Sequence, residues 1–110
     1  MKSPSWRPLA VSDSDQAAAW YGVEGGLSLE LEFIDALQAA VAHICEHPGM
    51  GSTRYSDLLK TQAVRFWPLK KFPYLIFYIE RARHVEVVRV LHAKRDIAEW
   101  LHATDGFNSE

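Results

Sequence analysis

The sequence has a single cysteine, Cys45, among 110 residues. No internal disulfide can form, which excludes a disulfide-stapled miniprotein and predicts a reducing, cytoplasmic setting. Nothing approaches the roughly 18 consecutive apolar residues of a membrane span. The first six residues lack an apolar run after Lys2, so no signal peptide is expected. Internal repeats and low-complexity segments are absent as well. What remains is ordinary for a globular chain: 48% hydrophobic and 24% charged residues. These values exclude a disordered tail or a fibre. The length predicts one domain over residues 5–102 and a flexible tail over 103–110.

Charge is unevenly spread. Residues 1–53 hold Lys2 and Arg7 against seven acids, a balance of −5. Residues 54–95 hold ten basic and three acidic residues, a balance of +7. Residues 96–110 hold four acids, and the whole chain sums to −2. A basic middle block fits an acidic partner, either nucleic acid or an acidic protein. The same charges would also serve to solvate an exposed sheet face.

The pattern of apolar residues predicts an α+β fold in the order β-α-α-β-β-β-α. Residues 6–11 read as a strand, with Pro8 marking an edge. Ser12 and Asp15 resemble a capping box before a helix-prone run to Tyr21. Gly22, Gly25 and Gly26 break it. Leu27, Leu31, Ile34, Leu37, Val41 and Ile44 then recur at helical spacing, predicting a second helix that ends at His47-Pro48-Gly49. The two helices form an αα-hairpin. Val64 and Phe66 share one side of a further strand. Residues 74–79 are apolar on both faces and predict a central strand. Residues 85–92 pair with it as an antiparallel hairpin across the turn 81–84. Residues 93–102 predict a closing helix with Ile97, Trp100 and Leu101 as its apolar side. The expected architecture is an αα-hairpin packed on a small antiparallel sheet with a short C-terminal helix.

Few residues suggest chemistry. His43 and His47 have the i,i+4 spacing of a zinc pair, but Cys45 lies on the other side of that helix and no fourth ligand is evident. No metal and no cofactor is therefore expected. Of the aromatic residues in the sheet, Trp67 and Tyr74, which flank Lys70-Lys71, are expected near the surface.

The C-terminal half resembles a known family. Phe72-Pro73-Tyr74-Leu75-Ile76-Phe77-Tyr78, then Val85 to His92 with Arg89-Val90-Leu91-His92, then Arg95-Asp96, are similar to the pattern of the ParE/RelE superfamily of bacterial type II toxins. Pro48-Gly49-Met50-Gly51 is similar to the family's P-x-x-G exit from its second helix. The resemblance implies the fold already read, an antitoxin partner and no membrane. It also implies one of two activities. ParE-like members inhibit DNA gyrase by binding a gyrase subunit. RelE-like members cut messenger RNA on the ribosome.

RNA cleavage needs groups to move protons and to stabilise a phosphorane. The candidates for that chemistry are His92, Arg95 and Arg81, with Arg65 or Arg83 to hold phosphate. No tyrosine follows Tyr78, however, and the sequence pI near 6.2 is low for a protein that neutralises RNA phosphates. The expectation is therefore the ParE-like branch. There Arg65, Trp67, Lys70, Lys71, Arg83, Arg89, Lys94, Arg95 and Trp100 would engage target or antitoxin, and none would be catalytic.

Overall fold

The computed structural model describes residues 1–56 and 64–103. Its elements are β1 (Ser3–Trp6), α1 (Pro8–Glu46), β2 (Arg65–Pro68), β3 (Tyr74–Glu80), β4 (His84–His92) and α2 (Ile97–His102). A short 3-10 turn at Pro48–Met50 follows α1. Among the described residues no helix is long and apolar enough to cross a membrane.

The 39 residues of α1 would span about 58 Å if straight, yet the longest dimension of the molecule is 39 Å. The helix instead folds back at Gly26, whose φ of 80° and ψ of −177° lie outside the helical region. That positive φ suits glycine, which has no Cβ to clash. The two limbs then pack on each other, with Tyr21 stacked on Phe33 at 5.2 Å. This is the expected αα-hairpin.

Its start differs from expectation. Residues 6–11 do not continue as a strand, because Pro8 opens the helix. Proline is suited to that position: its fixed φ is helical, and its missing N–H would have had no partner there. Ser12 and Asp15 therefore sit inside the helix and cap nothing. The C-terminal limb keeps the expected stripe from Ile34 to Ile44 but not its first two residues. Phe33, Leu37, Ala40, Val41 and Ile44 reach the core, whereas Leu27 and Leu31 stay exposed. Those two lie near the hairpin tip, short of the sheet. The closing helix begins at Ile97, not at 93, because residues 93–96 are taken up by a turn. From 104 onward the expected tail lies outside the described residues.

The four strands run β1-β4-β3-β2. The β2-β3 and β3-β4 pairs are antiparallel, as expected, but β1 lies parallel to β4, from Ser3 opposite His84 to Trp6 opposite Val87. The sheet is therefore mixed. The long α1 hairpin supplies the crossover that a parallel pair needs.

Both faces of the central strands are covered. Tyr74, Ile76 and Tyr78 of β3 face the helical hairpin with Val85, Val87 and Val90 of β4. Phe77, Ile79, Val88 and Leu91 face the other way, against Val64, Ile97 and Trp100. In β4 the inward residues switch from odd to even numbers between Val87 and Val90. A register shift opposite Phe77 and Tyr78 accounts for it: Arg89 pairs with Phe77 and Val87 with Tyr78, leaving Val88 as the extra residue of a bulge.

Tyr78 explains the Pro48–Gly51 motif. Its fully buried hydroxyl donates to the Pro48 carbonyl at 2.7 Å and accepts from the Gly51 N–H at 3.0 Å. Both polar valences of the phenol are thereby satisfied inside the core. A Cβ at position 51 would collide with that hydroxyl and lie 2.9 Å from the Phe66 carbonyl oxygen, whereas one at Gly49 would meet nothing within 4 Å. Gly51→Ala should therefore lower stability by about 1–3 kcal/mol, while Gly49→Ala should leave it nearly unchanged. Urea melts of the two variants, compared by midpoint, check the contrast.

Candidate functional site

A groove of about 600 Å³ lies between the N-terminal limb of α1, the end of β4 and α2. It collects three of the residues singled out from sequence, Arg89, Arg95 and Trp100, and adds Asp13, Trp20 and Tyr74.

Asp13, Arg89, Arg95 and Asp96 are already paired within the fold. Asp13 accepts from Arg89 Nε at 2.8 Å and Nη2 at 3.0 Å, and from the Val90 N–H at 3.0 Å. It thereby binds α1 to the bulged part of β4. Arg95 Nε donates to Asp96 at 2.9 Å, and its Nη2 lies 3.4 Å from the Tyr74 hydroxyl. Its hydrogen bonds to Asp96, then to Tyr74, hold this guanidinium more firmly charged. Its side chain is nonetheless 62% exposed, so one face remains open at the groove rim. Trp20, 52% exposed, forms the opposing apolar wall. Trp100 is buried, its ring 4.7 Å from that of Phe77, and offers the groove only an edge.

His92 sits beside this groove with its ring 5.3 Å from Tyr74. Its Nδ1 accepts from the backbone N–H groups of Lys94 at 3.1 Å and Arg95 at 3.2 Å. That arrangement requires the neutral ring to carry its proton on Nε2. Its own backbone N–H donates to Asp96 at 2.9 Å. The residue organises the turn between β4 and α2.

The remaining candidates fall elsewhere. Arg81 belongs to the opposite end of β4, where its Nε and Nη2 donate to Glu86 at 2.9 and 2.7 Å. Glu86 also accepts from Arg7. From Glu86 to His92 the strand covers roughly 20 Å at its usual rise. Arg83 is exposed in the β3-β4 turn, and Lys94 in the turn before α2. Arg65 donates to the Gly51 carbonyl at 2.9 Å and so steadies the same loop as Tyr78.

Trp67 and Lys70 meet at a second groove of about 380 Å³, floored by Ala36, Ala39 and Ala40 of α1. Trp67 is half-buried there and stacks on His43 at 4.5 Å. Among the described residues the buried Nε2 of His43 has no hydrogen-bond partner. Lys71, exposed at the β2-β3 connection, has a positive φ of 71°. Tyr74 is buried, not near the surface as expected, because β3 turns it toward Tyr21 and Phe33.

Sequence reasoning missed Asp13, Trp20 and the role of Tyr74. A signal for Asp13 was present. It falls on the helical stripe of Ala10 and Ala17, both buried, and an acid on such a stripe needs a cationic partner.

Against this geometry the sequence was compared with known families. The sequence model described as the ParE toxin of type II toxin-antitoxin system, parDE, matches residues 5–97. The chain belongs to the ParE toxin family. No curated protein matches it. Among solved structures, a chain of the chromosomal ParDE TA system from P. aeruginosa superposes with a TM-score of 0.71 at 20% identity. The match covers 86% of this chain and 98% of that one. At that identity the likeness concerns the fold, which this ParE-family chain shares.

Two carboxylates make the stability of the domain depend on pH. Burial alone would raise Glu86, but hydrogen bonds from Arg7 and Arg81 outweigh it and hold the group below its ordinary 4.5. Burial likewise raises Asp96, and the Arg95 side chain and His92 N–H bring it below 3.8. A folded value below the unfolded one stabilises the protein fully above the unfolded pKa. That stabilisation is lost as pH falls through the lower folded value. Urea midpoints should hold steady from neutral pH down to about 5 and then fall. Glu86→Gln should cost about 1–3 kcal/mol at neutral pH and flatten the acid decline.

Proposed function

We propose that this chain is a toxin that arrests growth by binding DNA gyrase, without catalysing a reaction itself, and that a cognate antitoxin neutralises it. The observation that carries this reading is the internal pairing of His92 and Arg81, two of the three groups that RNA cleavage would need, and the distance between them. His92 spends its Nδ1 on two backbone N–H groups. Arg81 pairs with Glu86 about 20 Å along the strand from it. A general base and a phosphate-binding cation that distant do not act on one phosphodiester.

The exposed features suit protein recognition instead. The larger groove offers an aromatic wall, Trp20, and an open guanidinium, Arg95, on rigid elements. Interfaces draw much of their energy from such aromatic and arginine anchors. We assign this groove and Lys94 to the gyrase-binding face. The second groove, with its alanine floor, its Trp67 wall and Lys70 at its mouth, suits an apolar segment carrying acids. We assign it to the antitoxin, whose flexible segment would order as it binds. Lys71 and Arg83 extend the cationic surface on either side of the sheet.

The test is plasmid topology after inducing this protein alone in bacteria, with growth and translation followed in parallel. The expected result is loss of negative supercoiling, or protein-linked DNA breaks, before translation fails. His92→Ala should retain growth inhibition, and Arg95→Ala should weaken it by roughly tenfold or less, as expected for one anchor among several. Growth arrest with normal topology, abolished by His92→Ala, would overturn the proposal in favour of ribosome-dependent messenger RNA cleavage. Absence of any arrest would overturn it in favour of a chain that only binds antitoxin.

A further inference from the structure

The outer face of the helical hairpin carries aliphatic side chains that the fold does not use. Val23 is 83% exposed, Leu27 69% and Leu31 49%. Leu27 and Leu31 are one helical turn apart and share a face. Val23 joins them across the bend at Gly26. A Cβ on Gly22 would touch the Glu30 side chain, so the two limbs cross there in close contact. Val23 lies on the first limb, three residues before the bend, and Leu27 and Leu31 lie on the second. Single exposed aliphatics are common on surfaces, but three on one small helical tip form a patch that calls for a partner.

The charges that the hairpin itself brings to the patch are all of one sign. Glu24, Glu32 and Asp35 are exposed beside it, and Glu30 is half-buried at the crossing. Between Arg7 and Arg54 the sequence has no lysine or arginine. The hairpin therefore gives the patch an acidic rim. A second copy of this chain is a poor match, since a two-fold contact would set these acids against their own copies.

We propose that this face docks an amphipathic helix of a partner protein whose apolar stripe is flanked by lysine and arginine. The apolar stripe would cover Val23, Leu27 and Leu31, and the basic flanks would meet Glu24, Glu32 and Asp35. The surface lies nearer the hairpin tip than Trp20 of the larger groove and Ala36 of the second, and the inference does not depend on the gyrase reading.

The test uses the full chain and three synthetic helical peptides of roughly 18 residues, long enough for five turns. One has leucines at i, i+4, i+7 and i+11 flanked by lysines. A second has the same leucines flanked by glutamates. A third has the first peptide's composition in scrambled order, with no stripe. Fluorescence anisotropy of labelled peptide gives affinity, and amide chemical shifts locate the contact. The lysine-flanked peptide should bind at least about tenfold more tightly than either control at low salt, and the advantage should shrink in about 0.5 M salt. Its shifts should centre on residues 23–32. The double variant Leu27→Ser, Leu31→Ser should abolish binding while keeping the thermal midpoint, since neither residue is in the core. Glu24→Lys with Glu32→Lys should reverse the preference toward the glutamate-flanked peptide. Equal binding of all three peptides, or shifts centred elsewhere, would overturn the proposal. So would concentration-dependent dimerisation in sedimentation that the double serine variant removes, which would give the face to a second copy.

Discussion

The placement of the helical hairpin rests on one carboxylate. Asp13 takes two hydrogen bonds from the Arg89 guanidinium and a third from the Val90 N–H. The contact falls where β4 has just gained an extra residue and its backbone departs from regular pairing. A bulge leaves ladder groups in need of other partners, and here a helix supplies one. Both side chains are largely shielded from water, a setting in which an ion pair contributes only if its hydrogen bonds are well made. The bidentate geometry meets that condition. With the limb held at this point, Trp20 stands opposite Arg95 and the larger groove has its two walls.

The same pairing resolves the apparent conflict in the charge distribution. The middle of the chain is strongly basic in sequence, but much of that charge is answered in the fold. Arg89 meets an acid from the N-terminal block, Arg81 meets Glu86, and Arg95 meets Asp96 at the head of the C-terminal block. Lys70, Lys71, Arg83 and Lys94 remain exposed. Among the described residues these cations fall on three different connections of the fold. Such a surface favours recognition by shape and anchors over the continuous phosphate neutralisation that RNA binding draws on.

Much of the fold was legible because its signals are local. β3 is apolar on both faces and could only be central. β4 followed from its alternation and the short turn before it. Ile97, Trp100 and Leu101 marked the final helix correctly, though not its first turn. What was illegible depends on distant contacts. The pairing of β1 with β4 joins residues about eighty positions apart, and no local pattern announces it. Pro8 is equally at home on a strand edge and at the first helical position, and only the tertiary setting decides. Leu27 and Leu31 fit the apolar period of their helix, yet the hairpin extends beyond the sheet and leaves them nothing to pack on. Of the site, Arg89, Arg95 and Trp100 were found by charge and residue type and by family resemblance. Asp13 was passed over because the nearby Ser12 and Asp15 resembled a cap.

The parallel pairing of β1 also bears on when the protein comes into being. The first strand to be synthesised waits for the last. Ser3 to Trp6 cannot enter the sheet until residues 84–87 have been made, and Asp13 cannot find Arg89 any sooner. Contacts this distant in sequence close late and slowly. Until then the helical hairpin lacks β4, the strand to which Asp13 ties it. Any surface built from both ends of the sequence arises only as synthesis finishes.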